Sequence, residues 1–181
     1  SGDGDFDDLV IRIFFTIVAD TTAPTTTYAL SGTAGNDGWY TTDVIVTLAA
    51  TDNAGGTGVA STPLDGSTYT AARTISTEGT TSHTYFSMDN SSNTETTNNL
   101  TLKIDKTAPS AAITSHTSNQ AVRGTISFGG TASDATSGLA SVQVSSNGGT
   151  TWNSATITSG WTYSLNTTTL MDGARTIQVR I

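Results

Sequence analysis

The side chains able to do chemistry in this sequence are nearly all carboxylates. Fifteen Asp and Glu stand against seven Lys and Arg, a net charge of -8. Asp3, Asp5 and Asp7 alternate just ahead of Asp8, while Asp20, Asp52, Asp89, Asp105 and Asp134 stand singly in polar stretches. Grouped carboxylate oxygens suit a hard cation, and calcium is the one ligand these residues suggest. The first group lacks the central Gly and distal Glu of an EF-hand loop, so a solvated acidic turn is the better reading of it. The remaining chemistry-bearing types point away from catalysis. His83 sits in the alternating string TSHTYFS and His116 in a polar turn, neither near a nucleophile elbow or a metal-ligand spacing. Glu78 and Glu95 fall in loops without the pairing that glycoside cleavage needs. Gly55, Gly56 and Gly58 precede a strand rather than a helix whose N-terminus would hold phosphate. With no Cys, disulfides, Cys-ligated zinc and thiol nucleophiles are excluded. No enzyme is expected, and no cofactor is required.

The acidic balance would repel a phosphate backbone, which makes nucleic acid a poor partner. No apolar run reaches the roughly 18 residues of a membrane helix, and the longest, 9–18, is interrupted by Arg12 and Thr16. It is no signal peptide either, because acidic residues precede it where basic ones are expected. Thr and Ser number 39 and 21, a third of the 181 residues, and that load suits exposed faces of β-strands. At this length the chain is one large domain or two small ones. Self-comparison chooses the second: DTTAP at 20–24 recurs as DKTAP at 105–109, a spacing of 85 residues, and TDNAGGTGVAS around Asp52 is echoed by SDATSGLAS around Asp134. The expected division is 1–19, then units at 20–104 and 105–181.

Apolar residues return at every second position. Val44, Val46 and Leu48 share one face; so do Ile126, Phe128 and Ala132, then Val142 and Val144, then Ile177, Val179 and Ile181. Turn signals fall between these runs at NDG 36–38, DG 65–66, NGG 147–149 and DG 172–173. The pattern predicts antiparallel sheets packed face to face. These residues resemble tandem bacterial immunoglobulin-like (Big-type) repeats of surface proteins and adhesins. The likeness is carried by the D-x-T-A-P linker, by SGTAGNDGWYTTDVIVTL at 31–48, by ATDN with GVAS, and in the second unit by GTASDATSGLASVQV, SNGGTTW and RTIQVR. The resemblance implies an all-β chain of two tandem immunoglobulin-like sandwiches, with an N-terminal extended strand, outside the cell or on its surface.

In that family RTIQVR is the penultimate strand, followed by an acidic loop and one further strand. The sequence given stops at Ile181, so the second unit is expected to present Ile177, Val179 and Ile181 beside an open groove. At the other end, 9–18 reads as a strand that the first unit does not need, with Leu9, Ile11, Ile13, Phe15 and Ile17 on one face. Joining Ile181 of one copy to Ser1 of another restores penultimate strand, acidic loop, last strand and linker. The expectation is donor-strand complementation: copies of the chain joined head to tail into an extracellular filament, the strand of one completing the second sandwich of the next. The alternatives are an excerpt of a long modular adhesin or stalk, and a carbohydrate-binding accessory module with Trp39, Trp152, Trp161, Tyr40 and Tyr163 as a stacking platform. In such a sandwich the entering linker, the loop after the second strand and the loop after the penultimate strand meet at one pole. Asp20, Asp52 and Asp89 are therefore expected to converge, with Asp105 and Asp134 as counterparts. The resemblance implies calcium at some such junctions.

Overall fold

The computed structural model describes residues 12–16 and 18–181. The described residues are all β apart from one 3-10 turn at Thr167–Thr169. Among the described residues nine strands precede Asp105: β1 (Thr25–Ser31), β2 (Val44–Thr51), β3 (Val59–Ser61), β4 (Pro63–Leu64), β5 (Ser67–Thr68), β6 (Arg73–Ile75), β7 (Gly79–Tyr85), β8 (Met88–Asp89) and β9 (Asn98–Ile104). One sheet has the order β1-β2-β6 and the facing one β5-β4-β7-β9, with β3-β8 as a small ribbon. Pairing is antiparallel throughout these sheets, with Tyr28 opposite Leu48, Val44 opposite Ile75 and His83 opposite Leu100.

The period-two pattern produces the core directly. Val44, Val46 and Leu48 alternate with exposed neighbours along β2, and Leu100, Leu102 and Ile104 alternate with exposed Thr101 and half-buried Lys103 along β9. These two rows meet Leu64, Ile75 and Tyr85 in one apolar cluster. The reversals need left-handed backbone, which the turn residues supply: Asp37 and Gly38 have φ of 51° and 79°, Asp65 and Gly66 of 53° and 72°. A polar knot closes one end. Glu95 accepts from Thr26 N–H and Oγ1–H, Ser87 N–H and Asn98 Nδ2–H at 2.6–3.1 Å, tying β1, the end of β7 and the start of β9 together.

Seven strands follow: β10 (Ser110–Ile113), β11 (Thr125–Ser133), β12 (Gln143–Ser145), β13 (Asn153–Ser154), β14 (Thr156–Ile157), β15 (Trp161–Asn166) and β16 (Gln178–Arg180). They form sheets of order β10-β11-β15-β14 and β13-β12-β16 around a second cluster of Phe128, Val142, Val144 and Trp161. Trp161 is the anchor: its ring is buried, and its indole N–H donates to the carbonyls of Ala112 and Thr131 at 3.2 and 3.1 Å. Room for it comes from Gly130, opposite Trp161 in the ladder, where a Cβ would collide with the Ala112 carbonyl.

Candidate functional site

Two features stand out, and the first is the pole where loops meet. Asp20 precedes β1, Asp52 follows β2 and Asp89 ends β8. One carboxylate oxygen from each lies within 4.8 Å of the others, and Asp89 is buried. Backbone N–H groups hold each in place. Asp20 accepts from Thr22 and Thr57 at 3.1 and 2.9 Å. Asp52 accepts from Asn53 and Gly58 at 2.9 and 2.7 Å. Asp89 accepts from Ser91 and Asn93 at 2.9 and 2.8 Å, and from the Asn93 amide. Hydrogen bonds from Thr57, then Thr22, hold the Asp20 carboxyl below the usual carboxylate range. The three expected residues are thus adjacent, and their free lone pairs are the donor chemistry a calcium ion takes.

The second unit repeats two of the three carboxylates and their main-chain donors. Asp105 accepts from Thr107 and Ser137 N–H at 3.0 Å each, as Asp20 does from Thr22 and Thr57. Asp134 accepts from Gly138 N–H at 3.0 Å, as Asp52 does from Gly58. Ser137, then the Thr107 N–H, keep the Asp105 carboxyl low despite its burial. The cluster of three carboxylates occurs once among the described residues, in the first unit. Asp3, Asp5 and Asp7 lie outside the described residues.

The other feature is a sheet edge. In the first unit β7 pairs with β4 on one side and with β9 on the other. In the second, β16 pairs with β12 and has no second neighbour among the described residues. A cleft runs along its open side, lined by Ala108, Pro109, Ala111, Val179, Arg180 and Ile181. Ile177 and Val179 are half-buried and Ile181 is 37% exposed. Of the N-terminal ribbon, Ile13 and Phe15 are 80% and 79% exposed; Leu9, Ile11 and Ile17 lie outside the described residues.

The aromatic residues do not gather into one platform. Trp161 is a core residue, Trp39 lies half-buried under Lys103 in the first unit, and Trp152 stacks on Arg180 at 4.3 Å in the second. His83 makes a contact that its sequence context did not signal. Its ring bridges Asp65 Oδ2 at 2.8 Å and Thr81 Oγ1 at 2.9 Å, while Asp65 also takes the Thr84 N–H. This chain of groups fastens the Asp65–Gly66 turn to β7. His116 packs its ring against Phe128.

Residues 109–179, the body of the second unit, match the family described as bacterial Ig domain, in agreement with the two-layer sheets and strand order found there. No curated protein matches the chain.

Proposed function

We propose that this protein is a non-catalytic structural module of the bacterial cell surface, and that residues 9–18 of one copy complete the second sandwich of another in a head-to-tail filament. Bacterial Ig domains are structural and adhesive modules that typically occur on surface proteins. No described helix is long and apolar enough to cross a membrane.

The observation that carries the filament reading is the difference between β7 and β16. In the first unit β9 places Leu100, Leu102 and Ile104 in the core at 3%, 1% and 0% exposure. Burying three such side chains is worth on the order of 5–9 kcal/mol. The second unit has only four buried apolar residues where the first has nine. The linker repeat supplies a register for 9–18 along this edge. Counting back from Asp105 and from Asp20 puts Phe15 at the position of Leu100 and Ile17 at that of Leu102, so the row containing Leu9, Ile11 and Ile13 faces inward with them. A second reading draws on the same 85-residue repeat: in a longer tandem chain the segment following Ile181 fills the edge covalently, and the protein is part of a stalk.

Sedimentation of the full chain against a chain lacking 1–18 decides between them. Concentration-dependent oligomers that vanish on deletion, and also with Phe15→Asp, are expected. Monomers at every concentration, or oligomers that survive deletion, overturn the filament.

We also propose calcium at Asp20, Asp52 and Asp89, as a stiffening ion between the entering linker and the first unit. At a hundredfold excess over Kd such an ion adds about 2.7 kcal/mol. That raises the melting midpoint of a unit this size by about 10–20 °C. Scanning calorimetry with calcium and with chelator should show the shift, and Asp89→Asn should abolish it. An identical midpoint under both conditions refutes the ion.

A further inference from the structure

The two units differ in what covers the cradle, and the difference identifies a second docking point. In the first unit the loop 89–93 lies across it. The Asn90 amide donates to the carbonyls of Thr57 and Gly58 at 2.8 and 3.0 Å, and Asn90 N–H also reaches Gly58. Ser91 N–H reaches Thr57 Oγ1 at 3.1 Å, and the Asn93 amide reaches the Asp20 carbonyl at 3.0 Å. The equivalent acceptors in the second unit are the carbonyls of Ser137, Gly138 and Asp105 and the Ser137 hydroxyl. No described residue donates to any of these four. Gly138 is correspondingly exposed where Gly58 is half-buried. The acceptors border a groove between the units, whose walls include Trp39, Asp105, Ser137, Leu139, Ala140 and Ile181.

We propose that this groove is the socket for residues 3–8 of a second copy, occupying the second unit as loop 89–93 occupies the first. The inference rests on the donor-strand reading and adds to it a separate contact. Spacing supports it: loop 89–93 lies 16 to 12 residues before Asp105, and residues 4–8 lie 16 to 12 before Asp20, with Gly4 at the place of Asp89. A strand bound along β16 in the register of β9 therefore delivers 3–8 to the cradle without further adjustment. The segment GDGDFDD has no Asn, so the side-chain amide contacts have no counterpart and main-chain N–H groups make the docking bonds, as Asn90 and Ser91 N–H do in the first unit. The loop in the first unit turns through Ser92 at φ 68°, and the same count places Asp7 there, a residue type that visits left-handed backbone more readily than most. Phe6 supplies an apolar group for the wall formed by Trp39 and Leu139.

The absence of Cys allows a clean test by disulfide trapping in full-length chains. For the loop, chains carrying Asp5→Cys are mixed with chains carrying Ala140→Cys. For the strand, Phe15→Cys is mixed with Val179→Cys. Exposed Ser159→Cys serves as the unrelated partner. Under mild oxidation both specific mixtures should give heterodimer at least about tenfold above the Ser159→Cys control, the expected gain when docking raises effective concentration. Trapping of the strand pair with the loop pair at control level overturns the socket and leaves the filament standing. Neither pair above control overturns both.

Discussion

Replacing Trp161 with alanine should unfold the second unit while leaving the first intact. Its indole is 1% exposed, packs with Phe128, Val142 and Val144, and satisfies two carbonyls on different strands. Truncating a buried Trp costs about 3–5 kcal/mol through lost burial and the cavity left behind. A cluster with four fully buried members has little reserve against that loss. Trp161→Phe keeps most of the apolar contact but leaves the Ala112 and Thr131 carbonyls without their donor, and should cost about 1–3 kcal/mol. Denaturant unfolding followed by far-UV circular dichroism should show the wild-type second transition missing in Trp161→Ala, shifted in Trp161→Phe, and the first unit's transition unmoved in both. A single transition displaced as a whole would mean that the two cores are not separate cooperative units.

Removing Glu95 should have the next largest effect, confined to the first unit. Its carboxylate receives four hydrogen bonds, from Thr26, Ser87 and Asn98, and both Thr26 and Ser87 are buried. Glu95→Ala strands the N–H groups of Thr26 and Ser87, at about 1–3 kcal/mol for each group left unsatisfied. Burial alone would push the Glu95 carboxyl up, but these bonds outweigh it and hold the carboxyl below the ordinary glutamate value. The sign of the pH dependence follows. The contribution is fully present above the unfolded glutamate value of about 4.3, and is lost as pH falls through the lower folded value. Denaturant midpoints between neutral pH and about pH 3 should therefore fall for the wild type and fall less steeply for Glu95→Gln. Equal slopes would show that the knot carries no linked proton.

The parts of this fold that announce themselves in the sequence are those governed by local periodicity. The alternation of Val44, Val46 and Leu48 can bury only one way in a strand, and Asn36–Gly38 and Asp65–Gly66 carry residues that tolerate positive φ. The meeting of Asp20, Asp52 and Asp89 follows from the strand order that the resemblance to immunoglobulin-like repeats implies. Glu95 had no such signal. Its partners stand 69 and 8 residues earlier and 3 later, and only the packing of β1 against the end of β7 brings them to one carboxylate. Nothing in the string SGWTYSLN separates a core Trp from a surface one; Gly130, 31 residues before Trp161, makes the space for its ring. The His83–Asp65 contact is equally non-local, joining a turn to a strand.

The ladder between β7 and β9 has seven residue pairs, from Gly79 with Ile104 to Tyr85 with Asn98, whereas β12 and β16 share three. Tension applied through the linker at Asp105 pulls β9 lengthwise, so its cross-strand bonds are loaded together in shear instead of being peeled open one at a time. The three-pair ladder offers far less resistance to the same pull. Under a shared load the shorter ladder gives way first, so the force at which these sheets part is set by the number of cross-strand pairs as well as by the apolar area they cover.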